Sequence, residues 1–280
     1  MFGRDYYALV SGFREYALDA ETKGFDIEAI LAEIGESVSA RDMKCVRLLY
    51  AYYDCENIVA LHNDCTAHNR LGRLSAEESE QEMKSPKLLP ERIARVLRAY
   101  ANPEGEDAEE LDMTLSFARA LFGAYYDECA ASPSRFLREW SEFDRTLRNV
   151  IAAATARSQG IPVETVTVGG GEIVEQLQRS SAADFGLRGE LPYMDAVIAV
   201  VNDEHNMLEK ERRIDRIRWD MASELSTFDY FDIDAVLAYL VKVNMVARWS
   251  LLDRKYGREM FERLMSELDS GELIRQGIDK

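Results

Sequence analysis

Few residues in this chain of 280 are of the kinds that do chemistry. Only three histidines are present, so a histidine-rich hydrolase centre is not expected. The four cysteines, Cys45, Cys55, Cys65 and Cys129, form no CxxC pair. Three of them recur every ten residues, about 1,000° of helical rotation, and so do not share a face. They are expected to be reduced thiols packed as small hydrophobes, with no disulfide framework. No G-x-S-x-G elbow occurs, and no cysteine has an identifiable histidine base. Gly169–Gly171 follows an extended-looking run, but without GxGxxG spacing or a following Gly-Lys-Ser/Thr it reads as a linker, not a phosphate loop. No run approaches the roughly 18–20 apolar residues that span a bilayer. The start, MFGRDYYALVSGF, lacks an apolar segment with a small-residue cleavage site, so cytoplasmic residence is the expectation. Positive charge is also short. A net charge of −17 disfavours a phosphate backbone or an anionic lipid surface as partner. Two acidic runs, Glu77–Glu82 and Glu104–Asp112, read as solvated charge at loops and helix starts.

What the chain has is helical periodicity, three times over. The copies are Val46–His62 (VRLLYAYYDCENIVALH), Trp140–Arg157 (WSEFDRTLRNVIAAATAR) and Phe228–Leu252 (FDYFDIDAVLAYLVKVNMVARWSLL). Each joins an aromatic-rich stretch to an apolar helix with an asparagine near its centre. Apolar residues three, four and seven apart share a face, so each stripe marks a buried one. Asn57 and Asn244 fall in register with the first and third stripes, whereas Asn149 falls off the second. An asparagine buried among apolar side chains must find partners for its amide or cost roughly 1–3 kcal/mol. Asn57 and Asn244 are therefore expected to bond to backbone at helix junctions and fix the register of packed units.

Helix punctuation agrees. Ser75 with Glu78 forms a capping-box pattern, Ser132-Pro133 fits a cap with first-turn proline, and Gly160 with Pro162 fits a stop. Asp232 can cap the third stripe's helix, and Gly257 can interrupt it. Further helices are expected from Pro90, over Leu111 to Cys129, and over Leu191 to Leu225, the last with a possible break. Ile161–Val168 and Tyr6–Phe13 could each be a short strand or an extended linker. The expected fold is all-α: three pseudo-repeated helical units, 1–103, 104–168 and 169–280, in one continuous structure with at most a short strand near 161–168. A parallel-sheet enzyme would need strands that are absent.

Competing chemistry is thin. His62, Cys65 and His68 lie close in sequence, but at steps of three they drift about 60° per step around a helix. They would also need a fourth ligand, Cys55 or Asp64, to hold zinc. A polar helix end explains them more simply, and no metal or cofactor is expected. In Glu209–Asp220 (EKERRIDRIRWD), opposite charges three and four apart support a helix. A stripe of Arg212, Arg216 and Arg213 could also meet an acidic partner, with Trp219 as an anchor.

YYDCENIVALH (Tyr52–His62) resembles a helix motif of the C-subunit family of V-type and archaeal-type ATPases (the d-subunit family in eukaryotes), which reads aromatic–Asp–x–x–Asn before apolar residues. FDIDAVLAYLVKVNMVARWSLLDRKYG (Phe231–Gly257) resembles that family's last repeat. Over nearly its full length, through YYALVSGF, LEKERRIDRIRWD and AYLVKVNMVARW, the chain is similar to an uncharacterised bacterial family that accompanies V-type ATPase genes. Asp144 stands five residues before Asn149 rather than three, and Val246 and Trp249-Ser250 stand where the C-subunit family usually has Glu and Asn-Leu. The resemblance implies a pseudo-threefold, funnel-like all-helical subunit without catalysis, seated between the central rotor stalk and the ion-conducting membrane ring. It would be cytoplasmic and peripheral on the membrane's inner face, with the other ATPase subunits as partners. Candidate structural or interface residues are Tyr53, Asp54, Asn57, Asn149, Arg212, Arg216, Trp219, Tyr239, Asn244, Arg248 and Trp249. The alternatives are a metal-dependent helical enzyme and a helical scaffold outside the ATPase.

Overall fold

In the computed structural model, which describes residues 5–18, 25–203 and 207–251, every regular element is helical. The first part of the chain forms α1 (Tyr7–Gly12), α2 (Ile27–Ser37), α3 (Met43–His62), α4 (Ala76–Lys84), α5 (Glu91–Ala101) and α6 (Glu106–Glu109). There follow α7 (Phe117–Ala130), α8 (Arg135–Ser158), α9 (Glu172–Arg179), α10 (Met194–Asn202), α11 (Met207–Leu225) and α12 (Ile233–Leu251).

Local chemistry sets many of these boundaries. Ser75 and Glu78 complete the expected capping box at α4, and Asp232 accepts from the amides of Asp234 and Ala235 to cap α12. Helix α8 closes as its sequence suggests. Gly160 takes φ +69°, while its amide and that of Ile161 bond to the carbonyls of Arg157 and Ala156, a Schellman closure. Helix α3 closes in the same way, with Asp64 at φ +55° in the glycine's place.

Several expected boundaries need correction. Ser134, not Ser132, caps α8, since Ser132 Oγ is occupied by the amide of Ser134 while Ser134 Oγ receives that of Leu137. Helix α7 begins at Phe117, not Leu111, because Asp112 folds the preceding residues into a turn by accepting from the amide and hydroxyl of Thr114. Tyr7–Gly12 forms a helix where a strand or linker is expected, whereas residues 191–225 divide into α10 and α11 in keeping with the expected break. Residues 161–168 hold only a 3₁₀ turn at Val163–Thr165, with no strand beside them among the described residues. Gly257 lies outside the described residues.

Packing is continuous across the three sequence units. Helix α5 lies on α4, α6 and α7, and α7 also packs on α3 and α8. Helix α8 touches α7, α9, α10, α11 and α12, while α12 reaches back to α2 and α3. The core runs through all of them, with Tyr50, Ile58, Leu121, Phe136, Leu137, Leu147 and Val150 completely or almost completely enclosed. Helix α8 is buried on so many sides that a single stripe does not describe it. This is why Asn149, off the stripe, is nonetheless 3% exposed.

Candidate functional site

The asparagine of each sequence copy is buried, and two of them do the same thing. Asn57 on α3 donates through Nδ2 to the carbonyl of Asn69 at 3.0 Å and accepts that residue's amide at 2.6 Å. Asn149 on α8 donates to the carbonyl of Val168 at 2.9 Å and accepts its amide at 2.8 Å. In both cases the chain leaves the helix through its Schellman closure, turns back, and is clasped at one peptide by the asparagine amide. The backbone groups of Val168 are thus spent on Asn149, where a strand would have needed a neighbouring one.

Asp54, one turn before Asn57, extends the first clasp by accepting from the amides of Arg73 and Leu74 at 2.7 and 2.9 Å. Burial pushes its carboxyl up, and those two amides with Arg73 pull against that. Gly72 makes the close approach possible, since a Cβ there would lie 2.4 Å from Asn57 Nδ2 and 3.0 Å from Asp54 Oδ1. Asn244 departs from the expectation. Its Oδ1 accepts from the hydroxyl of fully buried Tyr50 at 2.7 Å, so it ties α12 to a side chain of α3 and not to backbone. The residues that follow α12 lie outside the described ones.

The three copies converge on one small, partly open pocket of about 60 Å³. Its walls include Tyr52 and Tyr53 from α3, Trp140, Asp144 and Arg148 from α8, Arg218 from α11, and Val241 and Asn244 from α12. Such a space holds a few waters and no organic substrate. Beside it runs a chain of charge in which Asp144, Asp215 and Arg218 are enclosed while Arg148 and Arg248 each reach solvent. Asp144 accepts from Arg148 Nε at 2.7 Å, Arg218 Nε at 3.2 Å and the hydroxyl of Tyr126 at 3.1 Å. Asp215, 1% exposed, accepts from Arg218 Nη1 at 3.2 Å, Arg248 Nη2 at 2.5 Å and Trp249 Nε1 at 2.8 Å. Arg148 also stacks over the Tyr52 ring at 4.3 Å, and Arg248 reaches Glu211 at 3.1 Å. Burial opposes the charge on Asp144, yet Arg148 and Arg218 hold its carboxyl below the usual carboxylate range.

The chemistry available here is limited. Asp144, Asp215 and Glu211 are matched in number by Arg148, Arg218 and Arg248, which leaves no spare base in this cluster. Burial pushes the hydroxyls of Tyr52, Tyr125 and Tyr126 and the thiol of Cys55 upward, away from the reactive anion. The arrangement is suited to fixing three helices, α8, α11 and α12, against one another.

The remaining candidates scatter. Tyr239 stacks on Phe13 at 3.9 Å, and Trp219 lies under Lys242 at 5.5 Å. Arg212 sits over Trp249 at 5.3 Å, and Arg216 is on the exposed face of α11. Arg213 pairs with Glu209 at 3.3 Å. Arg148, Asp215 and Arg218 do not stand out in the sequence, the last two because they sit in a charge-rich segment that reads as a solvated helix. Glu82, expected in a solvated run, is instead buried, and its carboxylate accepts from the amides of Lys87, Leu88 and Leu89.

His62 stacks on Phe117 at 4.1 Å, and His62, Cys65 and His68 do not come together as a ligand set. Among the described residues one group of three potential ligands lies within 4.8 Å, Asp229, Asp232 and Asp234. Each already has work: Asp229 pairs with Arg135 at 2.6 Å, Asp234 accepts from Ser134 Oγ and the Phe136 amide, and Asp232 caps α12. No described helix is long and apolar enough to cross a membrane.

These features define a class: an all-helical protein whose buried polar groups clasp loops and lock helix registers. More particularly, residues 4–272 match the family described as "Protein of unknown function (DUF2764)", and the chain belongs to that family. No curated protein and no solved structure matches it.

Proposed function

We propose that this chain is a non-catalytic coupling subunit of a bacterial V/A-type ATPase, similar to the C-subunit family, linking the central rotor stalk to the ion-conducting membrane ring. The supporting observation is that three sequence copies become three helices, α3, α8 and α12, around one small, partly open pocket, with the Asn57 and Asn149 clasps as matching devices. A pseudo-repeated helical body with its buried charges mutually neutralised is the kind of part that passes torque. The role would be mechanical, on the inner face of the membrane and held there by the other subunits.

The test is a chromosomally tagged copy purified from its native cell under mild detergent, with bound proteins identified by mass spectrometry. Stalk and ring subunits of a V-type ATPase in near-equal amounts are the expected result. A preparation that holds the tagged chain and none of them would sink the reading and leave a helical scaffold outside the ATPase.

A further inference from the structure

The turn between α11 and α12 carries Phe228, Tyr230 and Phe231. Phe231 is covered by the ring of Tyr7, 4.5 Å away. The other two face solvent: Phe228 is 83% exposed and Tyr230 65%, with Tyr7 itself at 58%. None of these three packs into the core. A single exposed ring is ordinary, but three on one turn and its neighbour make a patch of the kind that marks an interaction surface.

The turn that displays them is tied down. Arg135 Nη2 donates to the carbonyl of Leu225 at 3.0 Å and pairs with Asp229 at 2.6 Å. The carbonyl of Phe231 accepts the amide of Tyr6, and Asp232 caps α12. Rings held in this way lose little chain freedom when something lies on them.

Charge says what would lie there. Asp229, Asp232 and Asp234 bring carboxylate oxygens within 4.8 Å of one another. Among the described residues one cation, Arg135, is within ion-pair distance of the three, and it is shared with Glu139 at 2.6 Å. Asp232 and Asp234 are hydrogen-bonded by backbone amides and by Ser134 Oγ, which satisfies their oxygens and leaves their charge in place. Burial, with Asp234 and Asp229 adding to it, pushes the Asp232 carboxyl up. The Tyr6–Phe231 bond brings exposed Asp5 to the same turn, where it accepts from the Tyr7 hydroxyl at 3.1 Å and has no ion pair among the described residues. Asp5, Glu139, Asp229, Asp232 and Asp234 thus share one guanidinium, so the negative excess remains after every ion pair is counted. A cation over an aromatic ring is attracted by the ring's negative face, and more so beside carboxylates. A second copy of this face, or a phosphate-bearing surface, would bring like charge against it.

We propose that the α11–α12 turn, with Tyr7 beside it, receives a basic segment of a partner protein, whose arginines lie on the rings of Phe228 and Tyr230 and pair with Asp5 and Asp232. The proposal stands apart from the ATPase reading.

The probe is a fluorescein-labelled peptide of about ten residues alternating arginine and glycine, compared with the same peptide carrying glutamine for arginine. Fluorescence anisotropy with the full chain is read at about 0.1 M salt, where charges beyond about 10 Å are largely screened. The arginine peptide is expected to bind at least about tenfold tighter. Phe228→Ala/Tyr230→Ala leaves the net charge unchanged and should weaken it about tenfold. Asp5→Asn/Asp232→Asn should do the same, since asparagine still caps α12. Glu104→Gln/Glu109→Gln removes as much charge from another exposed acidic run and should change binding less than about twofold. These positions are exposed or, at Asp232, half-buried, and thermal melts check that each variant folds. Equal affinity for both peptides, no binding of either, or unchanged binding to the folded Phe228→Ala/Tyr230→Ala protein would overturn the proposal. So would an equal loss in the Glu104→Gln/Glu109→Gln control, which would reduce the effect to net charge. Self-association of the chain, or binding of phosphatidylcholine vesicles, would overturn it too if the ring variant abolishes it and the arginine peptide does not displace it.

Discussion

Replacing Asn57 by leucine tests the clasp directly. The change removes two hydrogen bonds, at 3.0 and 2.6 Å, and strands the amide and carbonyl of Asn69. An orphaned buried polar group costs roughly 1–3 kcal/mol. Asn69 is only partly buried, so water reaches its peptide and each loss falls near the lower bound. The leucine adds apolar burial that offsets part of the rest. The net expectation is a loss of about 1.5 kcal/mol, and at roughly 2–4 °C per kcal/mol a fall in Tm of about 3–6 °C.

Gly72→Ala attacks the same clasp from the other side, since its Cβ would lie 2.4 Å from Asn57 Nδ2. It should cost a similar amount. If one device is being broken, the double variant must be less destabilised than the sum of the two singles, by about 1 kcal/mol or more. Urea unfolding followed by far-UV circular dichroism measures all three. An Asn57→Leu protein as stable as the parent, or a fully additive double variant, would refute the reasoning.

Asp215→Asn leaves Arg218 with Asp144 alone and Arg248, over a third exposed, with Glu211 alone, and should destabilise by about 2 kcal/mol; the exposed neighbour substitution Asp220→Asn, measured in the same urea series, should change little. Asp144 has a folded-state pKa below its unfolded one, so its contribution is complete above the unfolded value of about 4 and is lost as pH falls toward the folded one. Stability measured from neutral to acid pH should therefore fall less steeply in Asp144→Asn, and an identical slope would contradict the pairing. An aromatic disulfide reagent should label one thiol rapidly in the native chain, Cys65. Cys45, Cys55 and Cys129 are buried, with Cys129 pushed up to about 12, and should react only on unfolding.

Helix content, the capping box at Ser75 and the stop at Gly160 were legible because each depends on neighbours within one or two turns. Asn57 was legible as a buried polar residue because α3 keeps a regular stripe. Asn149 was harder to read, since α8 is enclosed by five other helices and its periodicity no longer separates inside from outside. The partner atoms were not legible at all. Nothing local says that Val168 is the peptide Asn149 holds, or that Asn244 meets Tyr50, which is 194 positions away. The segment ERRIDRIRWD shows the same limit. Its spacing supports a helix whichever side faces inward, and only the packing of α8 and α12 against α11 selects Asp215 and Arg218 for burial while Arg212 and Arg216 stay outside.

The buried charges also bear on what kind of machine this fold can be. Helices that meet through apolar side chains alone can exchange one set of ridges for another, a turn or about 5.4 Å along. Asp144 joins α8 to α11, and Asp215 joins α11 to α12 through Arg248 and Trp249. A slip of one turn would leave buried Asp144 and Asp215 without their partners, at about 3 kcal/mol or more apiece. The Asn57 and Asn149 clasps apply the same constraint to the chain that leaves α3 and α8. Enzymes that close over a substrate need at least one element free to move between two positions, and the elements around this cavity are each tied to a second one. A body so fixed would pass displacement from one face to another instead of absorbing it, as the proposed coupling role would require.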